Sequence, residues 1–254
     1  MVSEKILFKL VVLGALIVAV LTVLAALPGR DPAESAFASQ KKTTEGEDGN
    51  KKPLAVYSAQ LPSEPAERAI RLARSGRFDK RFTVPFDEAS PDTTGRSSIN
   101  DWYLQISALP AAQSDLVVIG QVTSAIGYLS NDRTGAYSEF TVQINEVLKD
   151  DGSQSVQSII AVREGADVQL PSGRIIRYEI LHQGMPLTGR QYVLFLKHNE
   201  QGNDYTILTG YELRENRVFP LDQPQQFAIY ETYSESAFLN AVREAIALHV
   251  RKGG

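Results

Sequence analysis

The chain contains no cysteine, which excludes disulfides, thiol nucleophiles and cysteine-ligated metal centres together. Other residues that commonly carry chemistry are also scarce. Three histidines (His182, His198 and His249), two methionines and one tryptophan are spread over 254 residues. No P-loop, G-x-S-x-G elbow, H-E-x-x-H helix, EF-hand loop or dinucleotide glycine fingerprint occurs. There is no dominance of one charge sign. Lys and Arg total 26 against 30 Asp and Glu, a net of −4, so the basic excess of a nucleic-acid binder is missing. Long apolar runs are absent with one exception.

That exception is residues 10–27, LVVLGALIVAVLTVLAAL, 18 positions without a charge or a proline. As a helix it would extend about 27 Å, close to the ~30 Å hydrocarbon core of a bilayer. The run predicts a single-pass transmembrane helix. A cleaved signal peptide is the alternative, since an A-x-A pattern stands at Ala36-Phe37-Ala38. Signal cores, however, are shorter, about 7–15 residues, with the cleavage site close behind. Lys5 and Lys9 precede the run, whereas Arg30 on its far side is accompanied by Asp31 and Glu34. The bias places residues 1–9 in the cytoplasm and the body of the chain outside it. Localisation in the cell membrane follows, or secretion if the segment is removed.

Residues 28–63, rich in Pro, Ser, Lys, Glu and Gly, cannot bury enough apolar surface to offset their ordering entropy and read as a flexible linker. Residues 64–100 follow as a short basic helix and loop. Ser63 is placed to cap a helix over 64–75, Pro65 suits its first turn and Gly76 its end. Arg68, Arg71 and Arg74 recur every three residues, and Arg77, Lys80 and Arg81 continue the series. This is a candidate anion-binding strip for lipid headgroups, cell-wall polymer or nucleic acid. The same spacing also suits a solvated face partly neutralised by Glu64, Glu67 and Asp79.

From residue 101 to 254 the pattern is that of a β domain. A short helical turn is expected over 101–112, ended by Pro110. DLVVIGQVTSAI (115–126) is a β-branched run suited to burial on both faces. In SEFTVQINEVLKD (138–150) the apolar alternation slips at Asn145-Glu146, the mark of a β-bulge. Further strands are expected at 158–164, 167–170 with 174–180 as a hairpin, 191–197, 204–208 and 217–221. A last helix over 235–250, with Thr232 and Glu235 as a capping box, aligns Phe238, Leu239, Val242, Ala245, Ile246 and His249 as a lid.

SDLVVIGQV (114–122), FTVQINEVLKD (140–150), GRQYVLFL (189–196) and TGYELRENRVFPLD (209–222) together resemble the netrin-like module, the OB-fold barrel shared with tissue inhibitors of metalloproteinases. The likeness covers about 110 residues. It implies a small OB-like Greek-key barrel with a helix alongside. It does not carry inhibition over, because that family engages the protease metal through an N-terminal cysteine. The expected fold class is therefore mainly β, a small barrel with a C-terminal helix, preceded by a transmembrane helix and a disordered linker.

No catalytic, cofactor or metal residue is assigned. The expected function is a membrane-tethered extracytoplasmic binding module for an envelope protein or glycan, with no nucleic acid and no catalysis. The alternatives are an envelope enzyme assembled from loop residues such as His182, His198 and Asp150, or an inhibitor-like module using a protruding loop at 150–157 or 182–190.

Overall fold

The long β-branched runs pair with each other and frame the larger sheet. In the computed structural model, which describes residues 52–89, 95–99, 102–150 and 157–253, β3 (Leu116–Leu129) pairs antiparallel with β4 (Ala136–Lys149). The turn between them is closed by Asp132, whose carboxylate accepts from Ser130 Oγ, Thr134 N and Thr134 Oγ at 2.8–2.9 Å. Ile144 stands opposite Gly120 and Glu146 opposite Ile119, which leaves Asn145 out of register as the expected bulge. The segments expected at 1–9 and 10–27, and much of the linker, lie outside the described residues. Among the described residues no helix is long and apolar enough to cross a bilayer.

Two sheets result. The larger has six strands. It adds β5 (Ser158–Glu164), β8 (Gln191–Asn199), β9 (Asp204–Arg214) and β10 (Arg217–Pro220), in the order β10-β9-β5-β4-β3-β8, with β9 pairing β8 as well. Strands β5 and β9 meet in parallel over only Ala161↔Tyr205 and Val162↔Thr206. With so short a seam the expected barrel is not fully closed, which corrects that expectation. The smaller sheet has the order β1-β6-β7-β2, from β1 (Leu54–Val56), β6 (Ala166–Gln169), β7 (Ile175–Ile180) and β2 (Gly95–Ser98). Leu54–Val56 lies in the stretch read as linker and Gly95–Ser98 in the stretch read as loop. Both become strands because β6 and β7 offer unpaired edges, a tertiary effect that outweighs local propensity.

The alternation of β3 explains the core. Val117 and Ile119 enter one buried cluster with Val193, Phe195, Tyr211, Phe238 and Val242. Leu116 and Val118 enter another with Phe140, Val142, Leu194 and Ile207. Helix α3 (Glu235–Gly253), which follows the short α2 (Gln225–Ala228), lays Phe238 and Val242 on the first cluster, as a lid does. Its cap is Ser234, whose Oγ accepts from Ala237 N at 3.3 Å, rather than Thr232. Helix α1 (Pro65–Gly76) begins one residue later than expected, so Glu64 rather than Ser63 is the N-cap residue, and no side chain caps it. Gly76 remains helical and Arg77 ends the helix in a right-handed conformation.

The β9–β10 turn holds Glu215 and Asn216 at φ 54° and 58°. A left-handed pair suits a tight hairpin, but only Asn, Asp and Gly adopt it readily. Glu215→Asn is therefore expected to raise stability by about 0.5–1 kcal/mol. Thermal unfolding checks this, and a lower Tm would refute it.

Candidate functional site

Of the arginines of α1, Arg68 is exposed, whereas Arg71 and Arg74 turn inward onto the sheet. Arg71 pairs with Glu139, donates to Tyr137 Oη at 3.1 Å and covers the Tyr128 ring at 3.6 Å. Arg74 reaches Glu139 and Asp204 at 3.2 Å each and donates to the carbonyls of Gly202 and Asn203. Arg77 grips both oxygens of Asp204 at 2.7 Å, and Arg81 pairs with Glu164 at 2.7 Å. Arg68 donates to the carbonyls of Pro62 and Ser63, while the backbone N–H of Lys80 donates to Asp132. Burial pushes the Tyr137 hydroxyl up to about 12, so it stays protonated within this network. The strip read as anion-binding is thus taken up largely by the protein's own carboxylates and carbonyls. Its function in the fold is to fasten α1 to the sheet.

The connection from β7 to β8 builds a different feature. His182 turns the chain at φ 65°, and Gly184 is then held from both sides. Its N–H donates to Asp222 at 3.0 Å and its carbonyl accepts from Arg163 at 2.7 Å. Arg163 and Asp222 pair at 2.7 Å with side chains 2 % and 0 % exposed, and Thr209 Oγ1 also donates to Asp222. No side chain fits at position 184, because a Cβ there would lie 1.8 Å from the Leu221 carbonyl oxygen. Farther along, Leu187 N donates to Tyr192 Oη and Gly189 N to the Val122 carbonyl. These bonds tie down the 182–190 segment, whose residues 188–190 are exposed; residues 151–156 of the other candidate inhibitory loop lie outside the described residues.

Between this segment and β10 lies a cleft of about 380 Å³. One wall carries His182, Gln183 and Leu187, the other Phe219 and Gln223, and Glu212 stands in the lining. Lys52 and Glu179 also line it, paired at 3.3 Å. Burial lowers the Lys52 pKa, against the pull of Glu179. The Tyr192 hydroxyl, pushed up to about 12 by burial, keeps its proton. His182 Nδ1 lies 3.3 Å from Gln223 Oε1. Among the described residues the lining holds no serine or threonine, and Tyr192 supplies its hydroxyl. The arrangement suits reversible polar contact with a small molecule or a projecting group.

His198 lies elsewhere in the interaction network. Its ring meets that of Tyr205 at 5.0 Å between centroids, tilted by 42°, and its backbone N–H donates to Asp115. Among the described residues no group of three or more His, Asp or Glu could hold a metal ion. Of the residues singled out from sequence, only His182 lies in the cleft. Lys52, Glu179, Glu212 and Gln223 come from distant positions with no spacing that would have marked them. No family model matches the chain, and no curated protein shows significant similarity to it.

Proposed function

We propose that this chain is a membrane-tethered, non-catalytic binding module that presents the His182–Gln223 cleft to an envelope component outside the cytoplasm. The observation carrying this reading is the cleft itself: preformed, pinned by the buried Arg163–Asp222 pair and lined by polar groups. The apolar run at 10–27 supports the tether. The pairing succession β3-β4-β5-β9-β8 returns to β3, with β5 and β9 parallel. That succession supports an OB-like, partly open barrel and, through it, the netrin-like resemblance.

A photo-crosslinking residue at Gln223 of the full chain, in its own cells, tests this. The expected result is an adduct in the membrane fraction that the same residue at exposed Gln143 does not give. Full-length chain in the soluble fraction would overturn the tether, and equal adducts at both positions would overturn the cleft.

A further inference from the structure

We infer that Arg190, Arg214 and Arg217 form a binding site for a phosphate group whose uncharged remainder enters the adjoining cleft. Strand register brings them together. Tyr192 lies opposite Glu212, and Glu212 opposite Phe219. Two residues along β9, Arg214 lies opposite Arg217, while Arg190 precedes Tyr192 by two. Three arginines therefore form a row across neighbouring chain segments, roughly 5 Å apart in backbone spacing. Beneath them runs a second row of Tyr192, Glu212 and Phe219, all three of which line the cleft.

Like charges directly opposite in an antiparallel pair repel, and one carboxylate is shared by two of these three cations. Arg190 Nη1 and Arg214 Nη1 both approach Glu212 Oε1, at 3.4 and 3.7 Å. Neither makes a directed hydrogen bond, and that oxygen is buried without one. The guanidinium carbons of Arg214 and Arg217 lie 4.5 and 5.4 Å from the Phe219 ring centroid, within cation–π range of it. Arg190 and Arg214 are 44 % and 41 % exposed, so their N–H groups are open to a ligand. Within the row the three guanidinium charges exceed the Glu212 carboxylate that contacts two of them, with Glu215 in the turn between Arg214 and Arg217. A phosphomonoester carries about −1.5 to −2 at pH 7 and presents oxygens that match the guanidinium fork. This deepens the binding-module reading and rests on it only for the ligand's remainder.

The test titrates inorganic phosphate and methyl phosphate against the full-length chain by calorimetry, with unfolding temperatures recorded for every variant. The paired substitution Arg214→Gln/Arg217→Gln is expected to lower affinity about tenfold or more. Glu212→Gln, which removes the competing charge, is expected to raise it severalfold. A row that served only to neutralise Glu212 would give no such gain. Retention on phosphatidate but not phosphatidylcholine vesicles, without affinity for the free ions, assigns the same phosphate chemistry to a lipid headgroup. No response to phosphate in any form, or one indifferent to the paired substitution, overturns the site. Leu187→Trp fills the cleft and is expected to abolish the Gln223 adduct while leaving inorganic phosphate affinity unchanged. Loss of phosphate binding with the adduct intact therefore refutes only the arginine site, and the converse refutes only the cleft.

Discussion

Asp222→Ala is expected to lower the unfolding free energy by about 3–5 kcal/mol, because it strands the Arg163 guanidinium in the interior. The Arg163 and Asp222 side chains are 2 % and 0 % exposed, so water cannot take over the missing partner. The loss spreads further, since Thr209 Oγ1 and the Gly184 N–H lose their acceptor at the same time. Replacing both members, as Arg163→Met/Asp222→Leu, is expected to restore most of the stability while leaving the Gly184 segment without its side-chain ties. Denaturant titration measures the first effect. Hydrogen exchange at Gly184 measures the second, with faster exchange in the double variant even where global stability has recovered. Full stability in Asp222→Ala would show that the pair does not bear on the fold.

Asp204→Ala is expected to have a comparable effect, again about 3–5 kcal/mol. Its carboxylate is fully buried and meets Arg74, both contacts of Arg77 and the Asn199 amide. Without it two guanidinium groups face each other with Glu139 alone to balance Arg74. Helix α1 should loosen first, because its attachment runs through these contacts rather than through a large apolar face; its buried residues are Arg74 and Ser75. Trypsin should then cleave at Arg68, Arg71 and Arg74 before the sheets unfold. If these arginines only decorated a solvated surface, the change in stability would stay within about 0.5 kcal/mol.

The same arginines show how far the chain could be read unaided. Their spacing on one helical face was visible, but the ownership of that face was not. Glu139 and Asp204, which claim it, lie about 65 and 130 positions farther along. The strands of the larger sheet were legible because β-branched runs and a phase slip at Asn145 are local signals. Strands β1 and β2 were not, because LAV and GRSS become strands only where β6 and β7 leave edges to pair with. The cleft was the least legible. His182 drew notice as a rare residue type, whereas Glu212, Gln223 and Lys52 converge only through the register of β9 and the path of β1. The row Arg190–Arg214–Arg217 escaped for the same reason: two of its members flank a tight turn, and the third is more than twenty residues away.

Lys52 and β1 carry a mechanical consequence. Pro53 and Tyr57 bond to Asp167 and Gln169 at either end of the strand, and Lys52 clasps Glu179 and the Tyr178 carbonyl. Gly127 lets the strand lie against β3, since a Cβ there would come within 2.6 Å of Ala55 N. Tension on the chain ahead of Lys52 therefore arrives first at Glu179, in the strand that leads directly into the Leu181–Leu187 wall. If the chain is tethered and the cleft occupied as proposed, a pull ahead of Lys52 reaches the mouth of the cleft along β7.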